Sequence, residues 1–103
     1  MLRIVNLNNY KLLPNEVLIK VDRTSPLGNP FKMKDYTKSE RNRVCDEYEA
    51  YFYSKVKETG AFRTEVIKIY SLAKQGHKVA LACHCVPQRC HAETIKEFVE
   101  SYL

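Results

Sequence analysis

The sequence predicts an α/β fold: one small domain over residues 1–103, with three or more strands and about three helices. Three observations predict it. Residues 16–21 alternate polar and apolar, so that Val17, Ile19 and Val21 share one face of a strand. Val79-Ala80-Leu81-Ala82-Cys83 is a short continuous apolar run, suited to a central strand covered on both sides. Between and after these runs the apolar residues recur at helical spacing, with Gly60 and Gly76 as stops. A chain of 103 residues buries one modest core.

Residues 3–7 form the first strand, ended by the turn-prone stretch 6–9. The second strand, 16–21, runs into a segment that cannot be regular structure, because Pro26 and Pro30 each remove a backbone donor and Gly28 permits positive φ. Leu27 and Phe31 are apolar anchors within it, which predicts an ordered loop rather than a linker. Thr37-Lys38-Ser39-Glu40 reads as a capping box opening a long helix. Cys45, Tyr48, Phe52 and Val56 lie on its inner face. A second helix carries Phe62, Val66, Ile69, Tyr70 and Ala73 inward, and His77 connects it to the central strand. The last helix runs to the C-terminus with Ile95, Phe98, Val99 and Tyr102 at spacings of three and four.

Composition bounds the function classes. Hydrophobic residues at 45% and charged residues at 28% describe a globular chain rather than a disordered one. No apolar run approaches the roughly 20 residues that span a bilayer. The opening 1–5 turns polar at Asn6 with no cleavage-like apolar region, so the expectation is a cytoplasmic protein without membrane contact. Four cysteines in that setting are reduced thiols or ligands rather than a disulfide framework. Seventeen Lys and Arg against 12 Asp and Glu leave a formal charge of +5, which favours RNA or nucleotide partners through their phosphates. The basic residues are scattered, however, and a solvated surface accounts for them equally well.

The densest chemistry lies in Cys83-His84-Cys85-Val86-Pro87-Gln88-Arg89-Cys90-His91, where a strand gives way to a helix. In an extended strand Cys83 and Cys85 point the same way, about 6.5 Å apart at Cα, with His84 opposite. Pro87 makes a sharp exit, and Cys90 and His91 then fall at the first turn of the helix. Three readings compete. As a metal site, Cys83, Cys85, Cys90 and either His84 or His91 supply thiolate and imidazole ligands for zinc or iron. The spacing fits no common zinc pattern, and Cys90 and His91 would diverge by about 100° on a helix. As an anion or nucleophile site, Cys90 and His91 are the catalytic candidates. Arg89, His91 and the helix N-terminus all lower a thiol pKa, and the same amides hold a phosphate. As structure, Cys83 continues an apolar strand and is core, whereas Cys90 is expected to be partly exposed at a helix start.

The loop Ser25-Pro26-Leu27-Gly28-Asn29-Pro30-Phe31 supplies the second candidate site. Gly28 lets backbone approach a ligand, Ser25 and Asn29 offer hydrogen bonds, and Arg23 and Lys32 offer charge. The competing reading is a rigid turn whose Leu27 and Phe31 close one end of the core.

Taken together, the two segments resemble a small family of phages and bacteria known as a domain of unknown function. Its pattern pairs S-P-L-G-N-P-F with C-W-C-x-P-x-x-C-H. The first motif is matched in full, while His84 replaces the Trp of the second and Ala92 stands where the family often has Gly. The resemblance spans most of the chain and implies an α/β fold with both motifs on one side. It supplies no reaction.

Three functions follow as expectations. The leading one is a cytoplasmic, phage-encoded binding module for RNA or nucleotide phosphates. Its site lies between the 25–31 loop and the 85–91 turn, where Arg23, Lys32 and Arg89 neutralise phosphates. The second is a nucleotide- or nucleobase-processing enzyme using Cys90 or a Cys/His-bound metal. The third is a phage protein that binds and inhibits a host protein.

Overall fold

The computed structural model describes residues 2–86 and 88–103, so the exit predicted at Pro87 lies outside the described residues. Strand β3 (Lys78–Cys83) is the middle strand because it is apolar on both faces. On one side it pairs in parallel with β1 (Leu2–Asn6), bringing Ile4 opposite Leu81. On the other it pairs in parallel with β2 (Glu16–Lys20), bringing Ile19 opposite the same Leu81. The sheet order is β1-β3-β2, and all three strands end on the same side of the molecule.

The two faces of the sheet are built differently. Helices α1 (Lys38–Lys55), α2 (Ala61–Lys74) and α3 (Ala92–Glu100) join one core with Leu2, Ile19, Val79, Leu81 and Cys83. Tyr48, Phe52, Ile69 and Ile95 are fully buried there. Each such side chain stabilises the fold by about 1.5–3 kcal/mol relative to exposure. The opposite face holds a smaller cluster of Val5, Ala80 and Ala82, flanked by Leu7 and Leu18. The small Ala80 leaves room for Arg3 to reach across β3 to Glu16 through two hydrogen bonds of 2.7 Å, clamping the two outer strands.

Helix boundaries follow local chemistry, with adjustments. Thr37 caps α1 by accepting from the Glu40 N–H at 3.2 Å, as the sequence predicts. The reciprocal half of the capping box is absent, because the Thr37 N–H donates to Asp35 and Glu40 takes the Lys34 N–H instead. Helix α1 stops at Val56, before Gly60, which starts α2. Gly76 closes α2 at φ 90°, where its N–H donates to Ala73 and that of His77 to Leu72. Helix α3 is capped at Ser101, so Tyr102 falls beyond it and is 62% exposed rather than core.

Candidate functional site

The ends of β2 and β3 feed the two segments singled out by sequence, and these segments face each other. Between them, with the first turns of α1 as a third wall, lies an open cleft of about 410 Å³. Arg23, Asn29 and Phe31 line it from the loop after β2, Arg41, Val44 and Cys45 from α1, and His84, Cys85, Arg89 and His91 from the turn after β3. Clefts at the carboxyl ends of parallel strands are where open α/β sheets bind ligands.

The loop is held by its own backbone. Asp22 accepts from the Thr24 N–H and hydroxyl, and its carbonyl takes the Ser25 N–H at 2.9 Å. The Thr24 contacts, with His84 adding to them, hold the Asp22 carboxyl below its usual range. Ser25 Oγ accepts from the Leu27 N–H, which makes it a turn residue outside the cleft lining. Gly28 packs against the loop itself: a Cβ there would stand 2.5 Å from the Asp22 carbonyl oxygen and 2.6 Å from Arg23 Cα. Asn29 is buried and bridges, donating to the Val44 carbonyl at 3.1 Å and accepting from the Phe31 N–H at 2.9 Å. Leu27 is fully buried and its carbonyl accepts from the Tyr48 hydroxyl at 2.8 Å, so it anchors the loop as predicted.

The cations divide. Arg23 donates to the carbonyls of Asn29 and Phe31, at 3.0 and 3.3 Å, and makes no ion pair among the described residues. Arg89 is committed to Asn42 and to Asp46, the latter at 2.8 Å. Lys32 is exposed and lies outside the lining. Its place is taken by Arg41, whose guanidinium makes no hydrogen bond or ion pair among the described residues.

The turn after β3 sorts the sulfurs. Asn6, at the end of β1, donates to the Val86 carbonyl at 2.7 Å and fixes the turn, which closes with the Gln88 N–H on the Cys85 carbonyl. Cys83 and Cys90 are 1% and 2% exposed, whereas Cys85 is half-buried in the cleft wall. The partial exposure expected of Cys90 is therefore corrected. Cys90 belongs to the same core cluster as Tyr48, Phe52 and Ile95, and its sulfur accepts from the Ala92 N–H at 3.5 Å. Glu93 takes the Cys90 N–H at 3.0 Å, so the α3 start is capped around Cys90 rather than left open to an anion.

Cys83 and Cys90 lie in one core cluster with Cys85 packed against it, and of the three thiols Cys85 is the one whose ionised form is favoured. The neighbouring thiols of Cys83 and Cys90 hold the Cys85 thiol far below its usual value, with Arg41 adding to it. The same contacts push Cys83 and Cys90 up, and burial adds to both. Burial lowers His91, whose Nε2 meets the Val21 carbonyl and whose ring stands edge-on to Tyr48 at 4.8 Å. Cys90 and His91 do not diverge as an ideal helix would have them. They precede the helix, and Cys90 Sγ lies 3.7 Å from His91 Nδ1. At the cleft mouth His84 meets Asp22 at 3.1 Å and Asn8 at 3.5 Å.

Among the described residues, no group of three or more His, Cys, Asp or Glu side chains is placed to hold a metal ion. The zinc or iron reading of Cys83, Cys85, Cys90 and His91 thus gains no support. Sequence reasoning missed Arg41 and Asn6. Arg41 shares a helical face with Val44 and Cys45, a signal that was present, whereas nothing local marks Asn6.

Residues 5–101, which include both motifs, match the family described as Domain of unknown function (DUF4326). No curated protein and no solved structure matches the chain.

Proposed function

The chain belongs to this family of unknown function, and from its cleft we propose that it is a nucleotide-binding module acting in the cytoplasm. One observation carries the reading: two guanidinium groups, Arg23 and Arg41, that have no carboxylate partner among the described residues stand beside a cleft at the carboxyl ends of parallel strands. The volume of about 410 Å³ is in the range of small-molecule sites. Phe31, Met33 and Val44 offer an apolar surface to a base, and the arginines take the phosphate. Titration with nucleoside monophosphates at rising salt tests it. Affinity should fall with ionic strength, and Arg41→Ala should weaken binding by about tenfold or more, the worth of a charged hydrogen bond. Binding indifferent to salt and to both arginines would sink the proposal. A single-stranded RNA that binds more tightly than the mononucleotide would extend the same phosphate contacts to RNA.

Cys85 favours a second reading, an enzyme acting on a nucleotide or nucleobase. This residue lines the cleft, and its neighbours push its thiol down, so the nucleophile is Cys85 rather than the buried Cys90. Turnover of a bound nucleotide that disappears in Cys85→Ser, with binding retained, would select this reading over the binder.

A further inference from the structure

Apart from any nucleotide, we propose that Cys85 is a site of reversible oxidation, reacting with a hydroperoxide in the cleft and closing a disulfide onto Cys90 with His91 as the base. Cys85 is half-buried in the cleft wall, so an oxidant the size of hydrogen peroxide reaches its sulfur. Cys85 packs against the core cluster that holds Cys83 and Cys90, which places partner thiols on its core side before any oxidation. Between these two, the surroundings select Cys90. The Val21 carbonyl can only accept, so His91 carries its proton on Nε2 and presents the bare Nδ1 to Cys90 Sγ at 3.7 Å. The Ala92 N–H, 3.5 Å from the same sulfur, stabilises negative charge there. Among the described residues no hydrogen bond joins the Cys83 sulfur to an imidazole or a carboxylate, so Cys83 lacks the base that Cys90 has.

The steps balance. The Cys85 thiolate attacks one peroxide oxygen; an S–O bond forms, the O–O bond breaks, and the departing alkoxide or hydroxide takes a proton from water. Cys85 is now a sulfenic acid, and the peroxide has been reduced. Because Cys85 no longer bears charge, the Cys90 proton passes to His91 Nδ1. The Cys90 sulfur then attacks Cys85, the S–S bond forms, the S–O bond breaks, and the leaving hydroxide recovers the proton from His91 as water. A dithiol reductant reverses the bond by exchange.

Mass spectrometry of the peroxide-treated chain, digested and mapped without reduction, tests this directly on the native protein. The expected product is a loss of two hydrogens in a linked Cys85–Cys90 pair, regained with dithiothreitol. Cys90→Ser should stop at the sulfenic acid, trapped by dimedone on Cys85. His91→Gln should slow disulfide closure by roughly 10²-fold near neutral pH, so that a sulfenic acid trapped by dimedone accumulates on Cys85, and alkaline pH should restore the rate. A Cys83–Cys85 bond, dimedone spread evenly over all four cysteines, or a peroxide-resistant mass would each overturn the proposal.

Discussion

Burial separates three cysteines that lie within eight residues of one another. Cys83 is core at the end of β3, and Cys83→Ser places a hydroxyl among apolar groups at a cost of about 1–3 kcal/mol. Cys90 is as deeply buried, but serine there keeps a capping bond to the Ala92 N–H, which offsets part of the same cost. A net loss of about 1 kcal/mol is expected for Cys90→Ser. Cys85 touches the cleft, and Cys85→Ser should stay within about 0.5 kcal/mol of the native chain. Urea midpoints under reducing conditions should rank Cys83→Ser below Cys90→Ser and that below Cys85→Ser. A different order would mean that the sulfurs are not distributed as described.

At the scale of elements, the loop after β2 is a rigid part of the cleft wall. Its two ends are brought together at Gly28, where a methyl group would strike the backbone of Asp22 and Arg23. Gly28→Ala should therefore cost about 1–3 kcal/mol through overpacking and also displace Arg23 from the cleft. Gly76 makes a useful contrast. It has φ 90° and open space around its Cα, so Gly76→Ala strains only the end of α2, by about 1 kcal/mol, far from the cleft. Thermal melts with nucleotide titrations on both variants separate the effects: ligand affinity should fall in Gly28→Ala and persist in Gly76→Ala. The S-P-L-G-N-P-F segment was legible as an ordered loop because its prolines and apolar anchors act locally. That Gly28 makes room for its own chain rather than for a ligand depends on Asp22, six residues away, folding back over it.

The molecule as a whole should lose stability toward acid in two stages. His91 is neutral and buried in the fold, with its pKa depressed below the ordinary 6.5. The unfolded chain therefore binds a proton that the fold refuses, and stability falls as pH drops through 6.5. Glu16, bonded by Arg3 across the sheet, titrates at about 2 instead of 4.5. Its contribution is complete above 4.5 and is lost as pH falls from there toward 2. His91→Gln should flatten the first stage and Glu16→Gln the second, as read from melting temperatures across a pH series. Retention of both stages in both variants would place the acid sensitivity elsewhere. Among the described residues no helix is long and apolar enough to cross a membrane, as the sequence indicates.

By itself the sequence determined the α/β class, the approximate strands and helices, and the two segments that meet at the cleft. It could do so because strand alternation, helical spacing, caps and turns are interactions among residues close in the chain. Helix ends were less legible. The stops at Val56 and Ser101 precede the glycine or chain end that pattern alone would choose. Tertiary structure decided which sulfur faces the cleft, which cation lines it and which base meets Cys90. Exposure of Cys85 and burial of Cys90 follow from how α1 and α3 pack on the turn. Arg41 replaces Lys32 because α1 turns that face inward, and the His91 tautomer is set by a carbonyl 70 residues earlier. These are distances between segments far apart in the chain, and no local period encodes them.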